Sequence, residues 1–199
     1  MSTNLRAQNA KLPAVMFLAG LAACTSLSAD TVKLQSSSSI PSSANDFIKD
    51  YRQWTRVNPV PAVFHSRIAL MCAPASQHLQ MEAGNPHRDK FITVYVNEPG
   101  TKAMMHEKTP YFPQGSVIVK EKLPSKDSSS PELLTVMLKR EAGYNPENGD
   151  WEYIALDGAG REVQARGRLE NCQACHQMAK DSDYVYRNYL PPDVRKKLK

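Results

Sequence analysis

The sequence lacks an apolar run of the length that a membrane-spanning helix needs. Its N-terminal apolar run, LPAVMFLAGLAA at residues 12–23, is shorter than the roughly 20 residues that cross a bilayer. No internal repeat is visible, and the formal charge is only +5 over 199 residues. A charge that small gives no reason to expect a nucleic-acid-binding protein. These absences leave a chain whose length suits one folded domain of ordinary size.

The N-terminal run instead has the features of an export signal. Two cations, Arg6 and Lys11, and no acidic residue precede it, and its length is typical of the apolar part of a signal peptide. The run ends in LAAC, which resembles a bacterial lipobox, in which the cysteine, here Cys24, receives the lipid anchor. The alternative is cleavage after Ala29. It would place the large residue Leu27 at a position where signal-peptide cleavage sites prefer a small residue. We therefore expect a signal peptide at 1–23 and a periplasmic lipoprotein held at a membrane through Cys24.

A serine-rich tract follows the signal. Residues 24–44 contain few large apolar side chains, so this tract cannot bury enough apolar surface to fold by itself. We expect a flexible tether between the lipid anchor and a folded domain at 45–199. A random coil of this length spans roughly 25 Å, which lets the domain move above the membrane.

The folded domain is predicted to be α+β, an antiparallel sheet with peripheral helices. Its β-branched and aromatic runs are short and are separated by proline, glycine and asparagine turns. Residues 45–57 differ, because their apolar residues recur at helical spacing behind Asn45, a suitable N-cap. The predicted strands lie within KFITVYVNEPG (90–100), YFPQGSVIVKEKL (111–123) and PELLTVMLKREAGY (131–144), and on either side of DGAG in WEYIALDGAGREVQARG (151–167).

The stretch ENCQACHQMAK carries the strongest chemical motif of the chain. Cys172, Cys175 and His176 occupy a C-x-x-C-H spacing. This spacing is typical of c-type haem attachment, in which both thiols form thioethers and the histidine binds the iron. The same letters could form a disulfide switch or half of a zinc site, and the predicted oxidising compartment favours haem. The other candidate zinc ligands are single and scattered in the sequence: His65, Cys72, His78, His87 and His106.

The order of these segments resembles that of the cytochrome P-460 family, which is related to cytochrome c′-beta. The segments that carry the resemblance are FITVYVNEPG, GSVIVKEK, WEYIAL and NCQACH, and the likeness covers residues 46–190. The resemblance implies an antiparallel sheet that carries one covalently attached haem c near the C-terminus, usually in a homodimer. It implies thioethers at Cys172 and Cys175 and a proximal iron bond from His176.

The resemblance also singles out Lys120 in GSVIVKE. Hydroxylamine-oxidising members join a lysine at this place to the haem ring, so Lys120 is a candidate for both cofactor binding and catalysis. Strand geometry places Lys120 on the same face as Ser116 and Ile118, with Val117 and Val119 on the other. Without the resemblance, a lysine beside other charges is more often a solvated surface residue.

Two functions follow from the resemblance. The first is a haem-dependent oxidoreductase that oxidises hydroxylamine or a related small nitrogen compound and passes electrons to a partner cytochrome. Such oxidation needs a proton acceptor over the iron, and the carboxylates considered for it, Glu107 and Glu141, are more typical of surface charges. The second is a haem protein that binds nitric oxide or transfers electrons without turnover.

Overall fold

A computed structural model describes residues 47–64 and 90–199 of the chain. Their central feature is a sheet of seven antiparallel strands in the order β1-β3-β4-β5-β6-β7, and β2 also pairs with β3. The predicted α+β architecture is confirmed, because only short helices accompany this sheet. The strands are β1 (Thr55–Arg56), β2 (Ala62–Phe64), β3 (Lys90–Val96), β4 (Val117–Leu123), β5 (Leu133–Lys139), β6 (Trp151–Asp157) and β7 (Val163–Gly167).

Each long strand coincides with one of the predicted alternating runs. The pairing from β3 to β6 is continuous, and Val94, Lys120, Thr135 and Ala155 lie in one cross-strand row. Residues opposite one another in such a row share a face of the sheet. The β6–β7 pairing shifts by one residue between Ala155 and Leu156, which is a β-bulge near the end of the sheet.

The two faces of the sheet bury separate apolar clusters. One cluster contains Ile118 and Met137, and Cys172 packs against it, so we call this side the motif face. The other cluster contains Val117, Val119 and Val136. The prediction that alternate side chains of the GSVIVKE strand point to opposite faces of the sheet is therefore confirmed. Lys120 lies on the motif face with Ile118.

Three α-helices accompany the sheet in the part of the chain that the structure describes. They are α1 (Glu98–Met105), α2 (Glu170–His176) and α3 (Pro192–Lys197), and short 3₁₀ helices span Tyr51–Gln53, Pro146–Asn148 and Gln177–Ser182. None of these described helices is long and apolar enough to cross a membrane.

The predicted helix at 45–57 is wrong over its described residues. Asp50 adopts left-handed backbone angles, and only the 3₁₀ turn at Tyr51–Gln53 follows it. Thr55 and Arg56 then pair with the end of β3 as a strand. Their backbone hydrogen bonds go to the sheet, and tertiary pairing has therefore overridden the helical spacing. Asn45 lies outside the described residues.

Candidate functional site

The C-x-x-C-H motif lies in α2. Polar contacts from Gln173, which lies between the two cysteines, hold this helix in place. The Oε1 atom of Gln173 accepts hydrogen bonds from Nδ2 of Asn145 at 3.0 Å and from Nδ2 of Asn148 at 2.8 Å. Its Nε2 donates to the carbonyl of Arg168 at 3.0 Å. Both asparagines are buried. Gln173 therefore satisfies their amides and fixes the position of the motif relative to the Asn145–Trp151 region of the sheet.

His176 has its two ring nitrogens in different roles. Nδ1 lies 2.7 Å from the carbonyl oxygen of Tyr184. Because a carbonyl can only accept, Nδ1 carries the proton and Nε2 keeps the lone pair that binds a metal. Burial lowers the pKa of His176 to about 4, the Tyr184 hydrogen bond opposes that shift, and the charge of Lys120 adds to it. The imidazole is therefore neutral at physiological pH, which is the form that ligates iron.

An unusual turn presents the Tyr184 carbonyl to His176. Asp183 and Tyr184 both have positive φ, at 50° and 62°, although neither is a glycine. The Asp183 carboxylate accepts two bonds from Lys139 Nζ, at 2.7 and 2.8 Å, and one from the backbone N–H of Phe112 at 2.8 Å. Its carbonyl accepts from Trp151 Nε1 at 2.8 Å. Together these contacts stabilise a backbone conformation that residues other than glycine seldom adopt.

Two tyrosines flank the imidazole. The Tyr153 ring lies 5.4 Å from the His176 ring, and the Tyr186 ring lies 5.3 Å from it in an edge-to-face arrangement. The Tyr186 hydroxyl donates to the Cys175 carbonyl at 2.7 Å. The aromatic contacts restrict rotation of His176, and the Tyr186 bond ties the end of α2 to the segment that follows it.

Cys172 and Cys175 lie one helical turn apart on α2, and both are half-buried and outside any disulfide. Cys172 packs against the motif-face cluster, and Cys175 Sγ lies 3.7 Å from the Tyr186 hydroxyl. Residues 47–64 and 90–199 contain no group of three or more metal-ligating side chains. His106 is exposed at the end of α1, whereas the remaining scattered candidates, Cys72, His65, His78 and His87, lie outside the described residues.

Lys120 lies on the same side of the sheet as the motif. Its charge is close enough to His176 to lower the pKa of that imidazole, and its side chain is half-buried. Thr135, Ala155 and Ala165 continue its cross-strand row. The structure thus brings together Lys120 and the three motif residues that the sequence singled out.

The two candidate carboxylates lie elsewhere. Glu107 pairs with Lys102 at 3.3 Å and accepts from the backbone of Tyr111, and Glu141 pairs with Arg140 at 3.2 Å. On the described strands, the one carboxylate of the motif face is Asp157, which accepts from two backbone N–H groups of the β6–β7 turn. The two candidates and the motif-face carboxylate of the described strands are therefore all engaged by other groups.

A match to a protein-family model decides the assignment of the chain. The model of the family described as Cytochrome P460 matches residues 48–187, which is more than half of the chain and includes Lys120 and the entire motif. The chain belongs to the cytochrome P460 family. It is accordingly a haem protein of that family. None of the curated proteins matched the chain.

The residues of this cytochrome P460 family member fit a haem. His176 offers Nε2 while its Nδ1 is held, and two thiols lie one turn apart beside it. The Tyr153 hydroxyl is the one buried side-chain nitrogen or oxygen without a hydrogen-bond partner among the described residues. Burial raises the pKa of this phenol, and the nearby Cys172 and Cys175 raise it further. An orphaned donor beside both thiols is expected where a group other than the polypeptide fills the site.

Sequence reasoning missed the residues that support the motif. Gln173 resembles any variable residue between the cysteines, and Asn145 and Asn148 resemble turn residues. The function of Tyr184 depends on its backbone carbonyl, which leaves no signal in the residue type. Of the two rings that pack against His176, only that of Tyr186 lies close behind the motif in the sequence.

Proposed function

We propose that this cytochrome P460 family member is an exported mono-haem c-type cytochrome that oxidises hydroxylamine or a related small nitrogen compound. The observation that carries the haem assignment is the arrangement of α2. Its two half-buried thiols stand one turn apart, and His176 next to them has Nδ1 committed to the Tyr184 carbonyl. This is the arrangement that a c-type haem requires of its protein.

Each residue of the motif has a defined task in this proposal. Cys172 and Cys175 hold the haem through thioether bonds, and His176 binds the iron through Nε2. The hydrogen bond to Tyr184 raises the basicity of the ring and fixes its orientation. The bound haem supplies an iron with an open position for a small ligand and a one-electron redox couple. Electrons then pass to a partner cytochrome.

Lys120 is proposed to act beside the haem. Its position on the motif face and its effect on His176 support this role. A covalent bond from Lys120 Nζ to a ring carbon would replace one N–H and one C–H hydrogen, and an oxidant such as peroxide would accept the released electrons.

A second function is binding of nitric oxide, or electron transfer, without turnover. The observation that favours it is that Glu107, Glu141 and Asp157, the carboxylates considered as proton acceptors, are all engaged by other groups. Hydroxylamine oxidation releases protons, and a site without a proton acceptor would bind a ligand more readily than it would oxidise one.

Haem attachment is tested on denaturing gels of protein made by cells that attach haem c. We expect haem stain in the wild-type band and none in a Cys172→Ser, Cys175→Ser double variant. Ala174→Ser, a substitution at an exposed position between the two cysteines, is the matched control and should keep the stain. A colourless wild-type protein would refute the proposed cofactor.

Turnover is tested by a steady-state assay with hydroxylamine and an electron acceptor. Lys120→Ala removes both the amine and the charge, whereas Lys120→Arg keeps the charge alone. Loss of turnover in both variants would assign the role to the amine, and retention in Lys120→Arg would assign it to the charge. A wild-type protein that binds nitric oxide but shows no turnover would establish the second function. Mass spectrometry of haem-containing peptides reports directly whether Lys120 is joined to the ring.

A further inference from the structure

The Tyr153 hydroxyl has no function in the folded polypeptide alone. Tyr153 is 3% exposed, and its oxygen has no hydrogen-bond partner. Burying a hydroxyl without a partner costs about 1–3 kcal/mol, and phenylalanine would fill the same space without that cost. Every other buried side-chain nitrogen and oxygen of the described residues has a partner. A tyrosine at this position therefore indicates an acceptor that the chain itself does not provide.

The surroundings of Tyr153 identify where that acceptor lies. The residue is in the middle of β6 on the motif face, opposite Met137 on one side and Gly167 on the other. Its ring lies 5.4 Å from the His176 ring, and Cys172 and Cys175 are close enough to act on its phenol electrostatically. Gly167 has no side chain to cover the phenol from the β7 side. The hydroxyl thus lies where α2 brings the two thiols and the iron ligand together.

We infer that the Tyr153 hydroxyl donates a hydrogen bond to the covalently attached haem, on the side that carries the thioethers, and thereby raises its reduction potential. The inference rests on the proposed attachment through Cys172 and Cys175. Tyr153 is a positioning residue in this role, because it acts on the electronic state of the haem and does not touch the substrate.

The direction of the effect follows from electrostatics. A donated O–H places the positive end of its dipole toward the acceptor, and the ferric state carries one more positive charge than the ferrous state. The dipole therefore destabilises the ferric state more, which favours reduction. Because water is excluded from around Tyr153, this interaction is screened less than it would be in solvent.

The test is the midpoint potential of the haem-loaded Tyr153→Phe variant. Removing an interaction of the size of one ordinary hydrogen bond should raise the ferric-to-ferrous ratio at a fixed ambient potential about fivefold. For a one-electron couple this corresponds to a potential about 40 mV lower than that of the wild type. Resonance Raman bands of the thioether-bearing side of the ring should shift in the same variant.

Tyr51→Phe is the matched control. The Tyr51 hydroxyl donates to Glu121 Oε1 at 2.6 Å on the opposite face of the sheet. This variant should unfold at a lower temperature, because it loses a hydrogen bond within the polypeptide, and it should keep the wild-type potential. Tyr153→Phe should show the reverse pattern, a changed potential with no polypeptide hydrogen bond lost.

The outcomes separate this inference from the proposed function. A wild-type protein without haem stain refutes the proposed function, and no potential is then measured. A haem-stained protein whose potential and Raman bands are the same in Tyr153→Phe overturns the inference alone.

Discussion

At the level of single residues, the most consequential ion pair is that between Lys139 and Asp183. Their side chains are 5% and 10% exposed, and Nζ lies 2.7 Å from Oδ2. Lys139 also lies over the ring of Trp151 at 5.0 Å. The pair fixes the turn whose next residue, Tyr184, accepts the His176 bond. A buried pair of this kind adds little stability over apolar packing, but removing one partner leaves a buried charge.

Replacing Asp183 by asparagine should therefore destabilise the protein strongly. Lys139 keeps its charge and loses its counter-ion, so we expect a loss of about 3–5 kcal/mol in the free energy of unfolding. Glu132→Gln is the control, because it breaks the partly exposed Lys90–Glu132 pair at 2.7 Å and should cost at most about 1 kcal/mol. Denaturant unfolding followed by circular dichroism measures both. Equal, small losses in the two variants would contradict the role given to Asp183.

Glu152 determines part of the acid sensitivity. Arg166 contacts both of its carboxylate oxygens at 2.8 and 3.3 Å, and Arg140 donates at 2.8 Å. Burial raises the pKa of Glu152, but the bonds and charges of the two arginines outweigh it, and the net pKa is lowered. Arg166 is therefore committed to Glu152.

The pH dependence of stability follows from that shift. A carboxylate with a lowered folded-state pKa stabilises the protein above its unfolded pKa, and this stabilisation is lost as the pH falls through the folded-state value. The wild type should therefore exceed Glu152→Gln in melting temperature near about pH 7, and the difference should shrink toward about pH 3. Glu162→Gln, at an exposed position after the β6–β7 turn, should follow the wild-type curve. A constant difference across this range would refute the assignment to Glu152.

At the level of elements, the long strands were predicted correctly and the helices were not. The runs in β3 to β6 are long, β-branched and bounded by turn residues, so that local sequence and tertiary pairing agree. At residues 45–57 the local sequence favours a helix, whereas tertiary pairing forms a strand, because Thr55 and Arg56 pair with the end of β3. The missed helix α1 had a signal in the sequence, since Asn97 accepts from the Gly100 N–H as its N-cap and Pro99 lies in its first turn.

Helix α2 shows the same limit of prediction from sequence. Its chemistry follows directly from Cys172, Cys175 and His176, whereas its placement depends on contacts distant in sequence. Asn148 donates to Gln173 across 25 positions, and Asn145 across 28. No periodicity or spacing rule connects such residues, because the contact exists only after the sheet has brought their segments together.

Substitution of Gln173 by alanine should loosen α2 without touching a haem ligand. The buried amides of Asn145 and Asn148 would each lose one of two acceptors, because they also donate to the Trp151 carbonyl and to Asn145 Oδ1. Each lost hydrogen bond costs about 0.5–1.5 kcal/mol. We expect a lower free energy of unfolding and faster hydrogen exchange in α2. Ala174→Ser changes the other residue between the cysteines, which is exposed, and should leave both quantities as in the wild type. Equal exchange rates in the two variants would show that Gln173 does not hold the helix.

At the level of the whole molecule, the family and the sheet are established, and the cellular setting stays a prediction. The signal peptide at 1–23, the tether at 24–44 and the anchor at Cys24 lie outside the described residues. The homodimer and the partner cytochrome also stay predictions.

Removing the predicted lipid site tests this setting. Cys24→Ser should move the exported protein from the membrane fraction to the soluble fraction, because the acyl chains that hold a lipoprotein would be missing. Haem stain should be unchanged, since Cys24 takes no part in attachment. Cys72→Ser serves as the control for loss of an unrelated cysteine. A wild-type protein found entirely in the soluble fraction would argue for cleavage after Ala29 instead.

The dependence of α2 on earlier segments has a consequence for how the protein matures. The chain places β3 to β6 before the motif, and Gln173 binds to Asn145 and Asn148 in the segment between β5 and β6. Because the N-terminal part of a chain leaves the ribosome first, the sheet can form before α2 docks on it. If haem is attached as proposed, the two cysteines would be accessible to haem-attaching enzymes in that interval. Docking of the helix would then end it.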